Sequence, residues 1–202
     1  DHCDILPHGR GNQATMKTFG AEAAPIDTII RPAVCSIAGG VLMLSDKAPV
    51  YRDDNNLEGA KRSAPVLFTR PGQLYDYTPR GEDWSFEKNF RGYVWDDKGK
   101  AEWWMQEIDR PFDHWCILGR FNWLSGKSRP GAPEAEVRFG DLGLPTDRDY
   151  LVFEFWSQRF LGRCRESFIA PAQGEDSGMQ LFSIRAAREY PWVIGTTRHI
   201  SQ

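Results

Sequence analysis

The stretch Tyr150-Leu-Val-Phe-Glu-Phe-Trp156 decides how this chain is read. It is apolar and aromatic with a single polar break at Glu154. A run this short, rich in β-branched and aromatic types, predicts a buried strand rather than a helix. Ser157-Gln158 then reads as the tip of a hairpin into Phe160-Leu161-Gly162-Arg163. A second run, Cys116-Ile-Leu-Gly-Arg-Phe121, is nearly apolar throughout and fits a central strand.

Working outward, the same pattern predicts strands at Val66–Thr69, Gln73–Thr78, Phe90–Trp95, Ala101–Ile108, His114–Trp123, Ala135–Phe139, Tyr150–Trp156, Phe160–Phe168, Met179–Ala186 and Trp192–Gly195. Turn residues separate them: Pro71-Gly72, Asp96 to Gly99, Arg110-Pro111, Gly131, Gly143 and Pro145. Short strands at regular spacing predict an antiparallel sandwich or barrel. The 19 glycines and 13 prolines exceed the average share and agree with many turns.

The first 48 residues differ. His2 to Leu6 reads as a short strand stopped by Pro7, and residues 8–20 read as a loop. Apolar residues at Ile26, Ile29, Ile30, Ala33, Val34, Ile37, Ala38 and Val41 then follow the helical rule. Pro25 suits a first helical turn, while Pro32 predicts a kink or a later helix start. Apolar residues surround much of this segment, which extends towards Leu44, and that calls for neighbours on more than one side. Asn55-Asn56 can cap a short helix from Leu57 to about Arg62.

The composition narrows the function classes. Among 202 residues, 25 Lys+Arg against 28 Asp+Glu give a net charge of −3. That balance leaves no basic footprint for nucleic acid. With 41% hydrophobic residues the chain is too apolar for a disordered protein. The longest apolar run, Ala33 to Leu44, is too short to span a bilayer, so no membrane is expected. The cysteines at 3, 35, 116 and 164 form no C-x-x-C pair and are expected to be unpaired thiols. The chain opens at Asp1 without Met or signal peptide and reads as a piece of a longer protein, and no compartment is assigned.

Candidate chemistry is sparse. Asp1, His2, Cys3, Asp4 and His8 are metal-ligand types, but neighbours on a strand point to opposite faces, so a metal site is not expected. No nucleophile elbow, zinc helix motif or phosphate-cradling glycine loop is present, and no cofactor is implied. His114 and His199 are isolated and read as structural histidines. Trp103 and Trp104 are adjacent on an expected strand, so they face opposite ways. The outward ring is a candidate for stacking on a sugar, against the ordinary reading of packing.

Three segments together resemble α-galactosidase-like (melibiase-type) glycoside hydrolases. Asp1-His2-Cys3-Asp4-Ile5-Leu6 resembles that family's last barrel strand, with its D-x-x-D-apolar-L pattern. Ile37-Ala-Gly-Gly-Val-Leu-Met-Leu-Ser-Asp46 is similar to the exit of its final barrel helix. Trp115 to Trp123, Asp141-Leu-Gly-Leu144, Tyr150 to Trp156, Phe160-Leu-Gly162 and Ile194 to Gln202 resemble its C-terminal β domain.

The resemblance implies the last strand–helix unit of a (β/α)₈ barrel over 1–48, a connecting segment over 49–70, and an antiparallel β-sandwich over 71–202, a mainly β chain. It implies a retaining enzyme acting on terminal α-linked galactose-like sugars through two aspartates on earlier strands. No residue here matches those strands, so no catalytic residue is assigned and the chain alone is expected to be inactive. Asp4 matches the second aspartate of the strand motif, which lines the sugar pocket, and Ile5 the apolar residue beside it. The expected partners are the carbohydrate and the missing N-terminal barrel. The alternative is a stand-alone carbohydrate-binding or interaction module, with Trp103 or Trp104 exposed in a shallow groove and residues 1–48 as an accessory arm. A purely structural sandwich subunit would make no site prediction.

Overall fold

The computed structural model describes residues 27–39, 52, 54–65, 72–74, 102–121, 132–174 and 179–201. Two helices, α1 (Asp27–Ile37) and α2 (Asp54–Ser63), precede the strands β1 (Gln73–Leu74), β2 (Trp103–Arg110), β3 (Asp113–Phe121), β4 (Ala135–Arg138), β5 (Asp149–Glu154), β6 (Arg159–Arg165), β7 (Ser167–Ala170) and β8 (Met179–Ala186). Six strands form one sheet in the order β1-β2-β3-β8-β5-β6, and β4 pairs with β7 in a second, two-stranded sheet. Every neighbouring pair is antiparallel. The fold is thus mainly β and sandwich-like, as the strand spacing predicts.

Alternation along the strands builds two cores. Trp115, Ile117 and Phe121 of β3 share one face of the large sheet with Ile108 and Leu181. Helix α1 covers that face with Ile30, Ala33 and Ile37, and Ile200 joins them from the C-terminal segment. Cys116 and Leu118 face the other way, with Val152, Phe182 and Ile184. There the two-stranded sheet closes the core with Val137, Phe168 and Ala170, helped by Phe139 and Leu142 from the turn after β4.

Helix α1 begins ahead of Pro32 and keeps that proline inside. It ends on Gly39, whose φ of 69° is the left-handed closure that glycine favours. Ala38 N donates to Val34 O at 2.8 Å, satisfying one of the last carbonyls. Helix α2 starts earlier than the capping pattern predicts, so Asn55 and Asn56 lie in its first turn rather than ahead of it. The seat for Ile37 is made by two glycines. A Cβ on Gly72 would lie 2.5 Å from Ile37 O, and one on Gly119 would lie 3.2 Å from Ile37 Cδ1 and 2.9 Å from Phe121 Cε2. Gly72 N also donates to Ile37 O at 2.7 Å, which fixes this close approach.

Two expected strands are corrected. The run Phe160–Phe168 is not one strand, because Glu166 adopts a φ of 68° and turns the chain from β6 in the large sheet into β7 in the small one. Trp192–Gly195 forms no strand. Trp192 is held instead by side-chain contacts, with the guanidinium of Arg188 4.5 Å above its ring. Cys35, Cys116 and Cys164 form no disulfide, and burial pushes the Cys116 thiol far above its ordinary pKa. Cys3, the strand at His2–Leu6, and the strands at Val66–Thr69 and Phe90–Trp95 lie outside the described residues. No helix among the described residues is long and apolar enough to cross a membrane.

Candidate functional site

Asp4 and Ile5 lie outside the described residues. Trp103 and Trp104 both open β2 and face opposite ways, as the pleat requires. Trp103 joins the face closed by the small sheet. Its ring stacks with Phe182 at 6.5 Å and 24°, and the Arg120 guanidinium sits 5.0 Å from its centroid. Trp104 joins the helix-covered face and meets Phe121 edge-on at 6.3 Å and 79°. Both indoles are half-buried. The two tryptophans are therefore not brought together, and each is engaged by its own core.

Arg120 is an unusual core residue, only 3% exposed. Its Nε donates to Glu102 Oε1 at 2.5 Å and its Nη1 to Pro133 O at 2.9 Å, so the buried charge is paired. A similar arrangement lies beyond the other end of the strand. Arg185 lies 3.9 Å from the Trp115 ring centroid and donates to Asp113 Oδ2 at 2.6 Å. Arg188 also donates to Asp113, and its guanidinium lies over Trp192. The aspartate thus pairs with two arginines interleaved with two indoles, and the trio keeps one net positive charge. Phe112, Tyr190 and Val193, all exposed, belong to the hairpin tip and the segment next to this cluster.

The β5–β6 turn gathers several polar contacts on one carboxylate. Glu154, 3% exposed, ends β5 and accepts from Trp156 N at 3.2 Å, Ser157 N at 2.6 Å and Leu181 N at 2.9 Å. The Ser157 hydroxyl donates to it as well. These bonds saturate the carboxylate, hold the turn, and tie it to β8. Arg62 of α2 lies 5.7 Å from both the Phe155 and Trp156 rings, linking the helices to the same turn. Beside it opens a cleft of about 230 Å³ lined by Glu154, Trp156, Arg159, Pro171, Gln173 and Gln180, among others. Sequence reading marked Glu154 as the lone polar break of its strand. The glutamines carried no signal, because nothing in their local sequence distinguishes them from surface residues.

His199 is structural, as expected. It is buried, and its Nε2 lies 2.9 Å from Pro65 O, an acceptor only, so Nε2 carries the proton. Nδ1 then accepts from Ser201 Oγ at 2.7 Å. Burial lowers the His199 pKa below its ordinary value, against the opposing pull of its Pro65 and Ser63 backbone hydrogen bonds. His114 is exposed instead, with Nδ1 3.7 Å from Asp109 Oδ1. Among the described residues no three His, Cys, Asp or Glu side chains gather as metal ligands.

No protein-family model and no curated protein matches the chain. Among solved structures the chain is similar to alpha-galactosidase I from Mortierella vinacea, with a TM-score of 0.43 and 12% identity, over 83% of this chain and 36% of that one. The chain thus spans about a third of the length of that enzyme.

Proposed function

We propose that this chain is the C-terminal portion of a retaining α-galactosidase-like glycoside hydrolase, acting on terminal α-linked sugars. In this reading residues 1–48 are the end of a (β/α)₈ barrel, 49–70 connect, and 71–202 form the β domain. Asp4 and Ile5 line the sugar pocket, and the hydrolytic aspartate pair belongs to strands that no motif here matches. The observation that carries it is the order of the three family-like segments, a D-x-x-D strand motif, an apolar helix and a β-rich tail. Helix α1 seats Ile30, Ala33 and Ile37 on the sheet, with Ile29 and Val34 half-buried at the margin of the same core.

Trp103 and Trp104, the platform of the rival carbohydrate-binding module, are half-buried and packed on aromatic neighbours. That geometry counts against the rival module and equally against Trp103 and Trp104 as sugar-stacking residues. The test is an assay of the chain with an aryl α-galactoside. No turnover is expected, and turnover that disappears in Asp4→Asn would overturn the division of labour proposed here. Reading the source gene upstream of the Asp1 codon is the second arm. Strand–helix repeats carrying two strand-end aspartates are expected, and an unrelated upstream sequence would overturn the assignment.

A further inference from the structure

The imidazole of His199 joins segments that close the helix-covered face. Its Nε2 donates to Pro65 O at 2.9 Å, just beyond α2. Its Nδ1 meets two groups of Ser201, the hydroxyl at 2.7 Å and the backbone N–H at 3.2 Å. The same short segment carries the seam to the helices and to β3. Ile200 N donates to Arg62 O at 2.9 Å, and Ser201 O accepts from the Trp115 indole at 2.9 Å. The Ile200 side chain joins the core that α1 covers. His199, Ile200 and Ser201 are all buried.

This arrangement suits one protonation state. Pro65 O only accepts, so Nε2 carries the proton of the neutral ring and Nδ1 is the acceptor. A second proton turns Nδ1 into a donor. The Ser201 hydroxyl can rotate and accept from it, but the Ser201 backbone N–H can only donate. Two N–H groups then oppose each other, and a buried donor loses its acceptor, which costs more than the hydrogen bond contributed. The new charge also lacks a counter-ion. Among the described residues the polar groups acting on the ring are the Pro65 and Ser63 backbones, and burial opposes its charged form. The charged side chains of the neighbouring elements are engaged elsewhere or lie at the surface. Arg62 of α2 is bonded to Glu58 and lies against the Phe155 and Trp156 rings. On β3, Asp113 holds Arg185 and Arg188, and His114 lies near Asp109. Lys61 and Arg198 are exposed.

We propose that His199 is a proton-operated latch, whose second proton frees Ile200 and Ser201 from Arg62 and Trp115 while the sheet stays folded. The buried core on the opposite face includes no histidine, so a mildly acid step leaves that face closed. The device goes beyond the hydrolase reading and does not depend on it.

The test is a pH titration of the intact protein from about 7.5 to about 4.5, a span that brackets the histidine transition. The ¹⁵N–¹H resonance of the Trp115 indole reports on the bond to Ser201 O, and the His199 ring is followed alongside it. Both are expected to move with one shared midpoint. The Ile200 amide, corrected for the intrinsic effect of pH on exchange, should exchange about 10-fold faster on the acid side, the worth of one hydrogen bond. The amides of β5 and β8 should keep their protection. His199→Gln keeps a donor and an acceptor without a titrating ring, so the acid step should vanish in it. Ser201→Ala keeps the backbone N–H and should retain the step, which decides the matter if His199→Gln does not fold. The inference is overturned if the Trp115 resonance stays still while His199 titrates, or if the step survives in His199→Gln. It is equally overturned if Ser201→Ala abolishes the step, or if β5 and β8 lose protection at the same pH, as general acid unfolding would require.

Discussion

The two faces of the large sheet are closed in different ways. One is covered by β4, β7 and the turn after β4, all drawn from residues 135–170. The other is covered by α1, far away in sequence, and by Ile200 near the end of the chain. The first core is aromatic and local: Phe139, Tyr150, Phe168 and Phe182 pack with ring centroids 4.6 to 6.0 Å apart. The second is held by long-range seams. Ile200 N donates to Arg62 O at 2.9 Å, and the Trp115 indole donates to Ser201 O at 2.9 Å. The difference teaches that one face is completed within the strand-rich half, whereas the other depends on segments that must arrive from both ends.

Phe182→Ala puts the greatest strain on this contrast. Phe182 is fully buried and touches Trp103 and Phe168. Its truncation is expected to cost about 3–5 kcal/mol in chemical denaturation. Amide protection should fall in β4 and β7 together with the large sheet, and a loss confined to the helices would break the distinction. Gly72→Ala sharpens it from the opposite side. The new Cβ meets Ile37 O and Cγ2 at 2.5 and 2.7 Å, so overpacking of about 1–3 kcal/mol is expected. Faster hydrogen exchange in α1, with β5 and β8 still protected, is the predicted signature.

The smallest effect concerns pH. His199 sits on the helix-covered side, and its folded pKa lies below the ordinary 6.5. Its neutral form is therefore favoured by folding. That stabilisation is fully present above about 6.5 and is lost as pH falls through the lower folded value. Denaturation midpoints should drop on acidification, and His199→Gln should flatten this part of the profile. An unchanged profile would show that His199 does not couple that face to protonation.

Much of this architecture was legible in local pattern. The near-continuous apolar runs Cys116–Phe121 and Tyr150–Trp156 mark strands because each is packed on both faces. The helical spacing from Ile29 to Ile37 marks α1 for the same reason. The switch at Glu166 was invisible, since no glycine or proline announces it and a glutamate in a left-handed conformation has no sequence signature. Gly119 carried no signal of its own within the apolar run Cys116–Phe121, and only the docked helix explains it as room for Ile37 and Phe121. Gly162 is comparable: its φ of 119° accompanies the register shift opposite Val152, where the extra residue of a β-bulge is absorbed.

The pivot at Glu166 reaches into practice. Because β6 and β7 are one uninterrupted run with a single bent residue between them, both sheets hang on the same short length of backbone. Proteolysis there finds no slack linker to enter, and tension applied to the edge of one layer is delivered straight to the other. Anyone trimming the polypeptide for expression must keep β6 and β7 together.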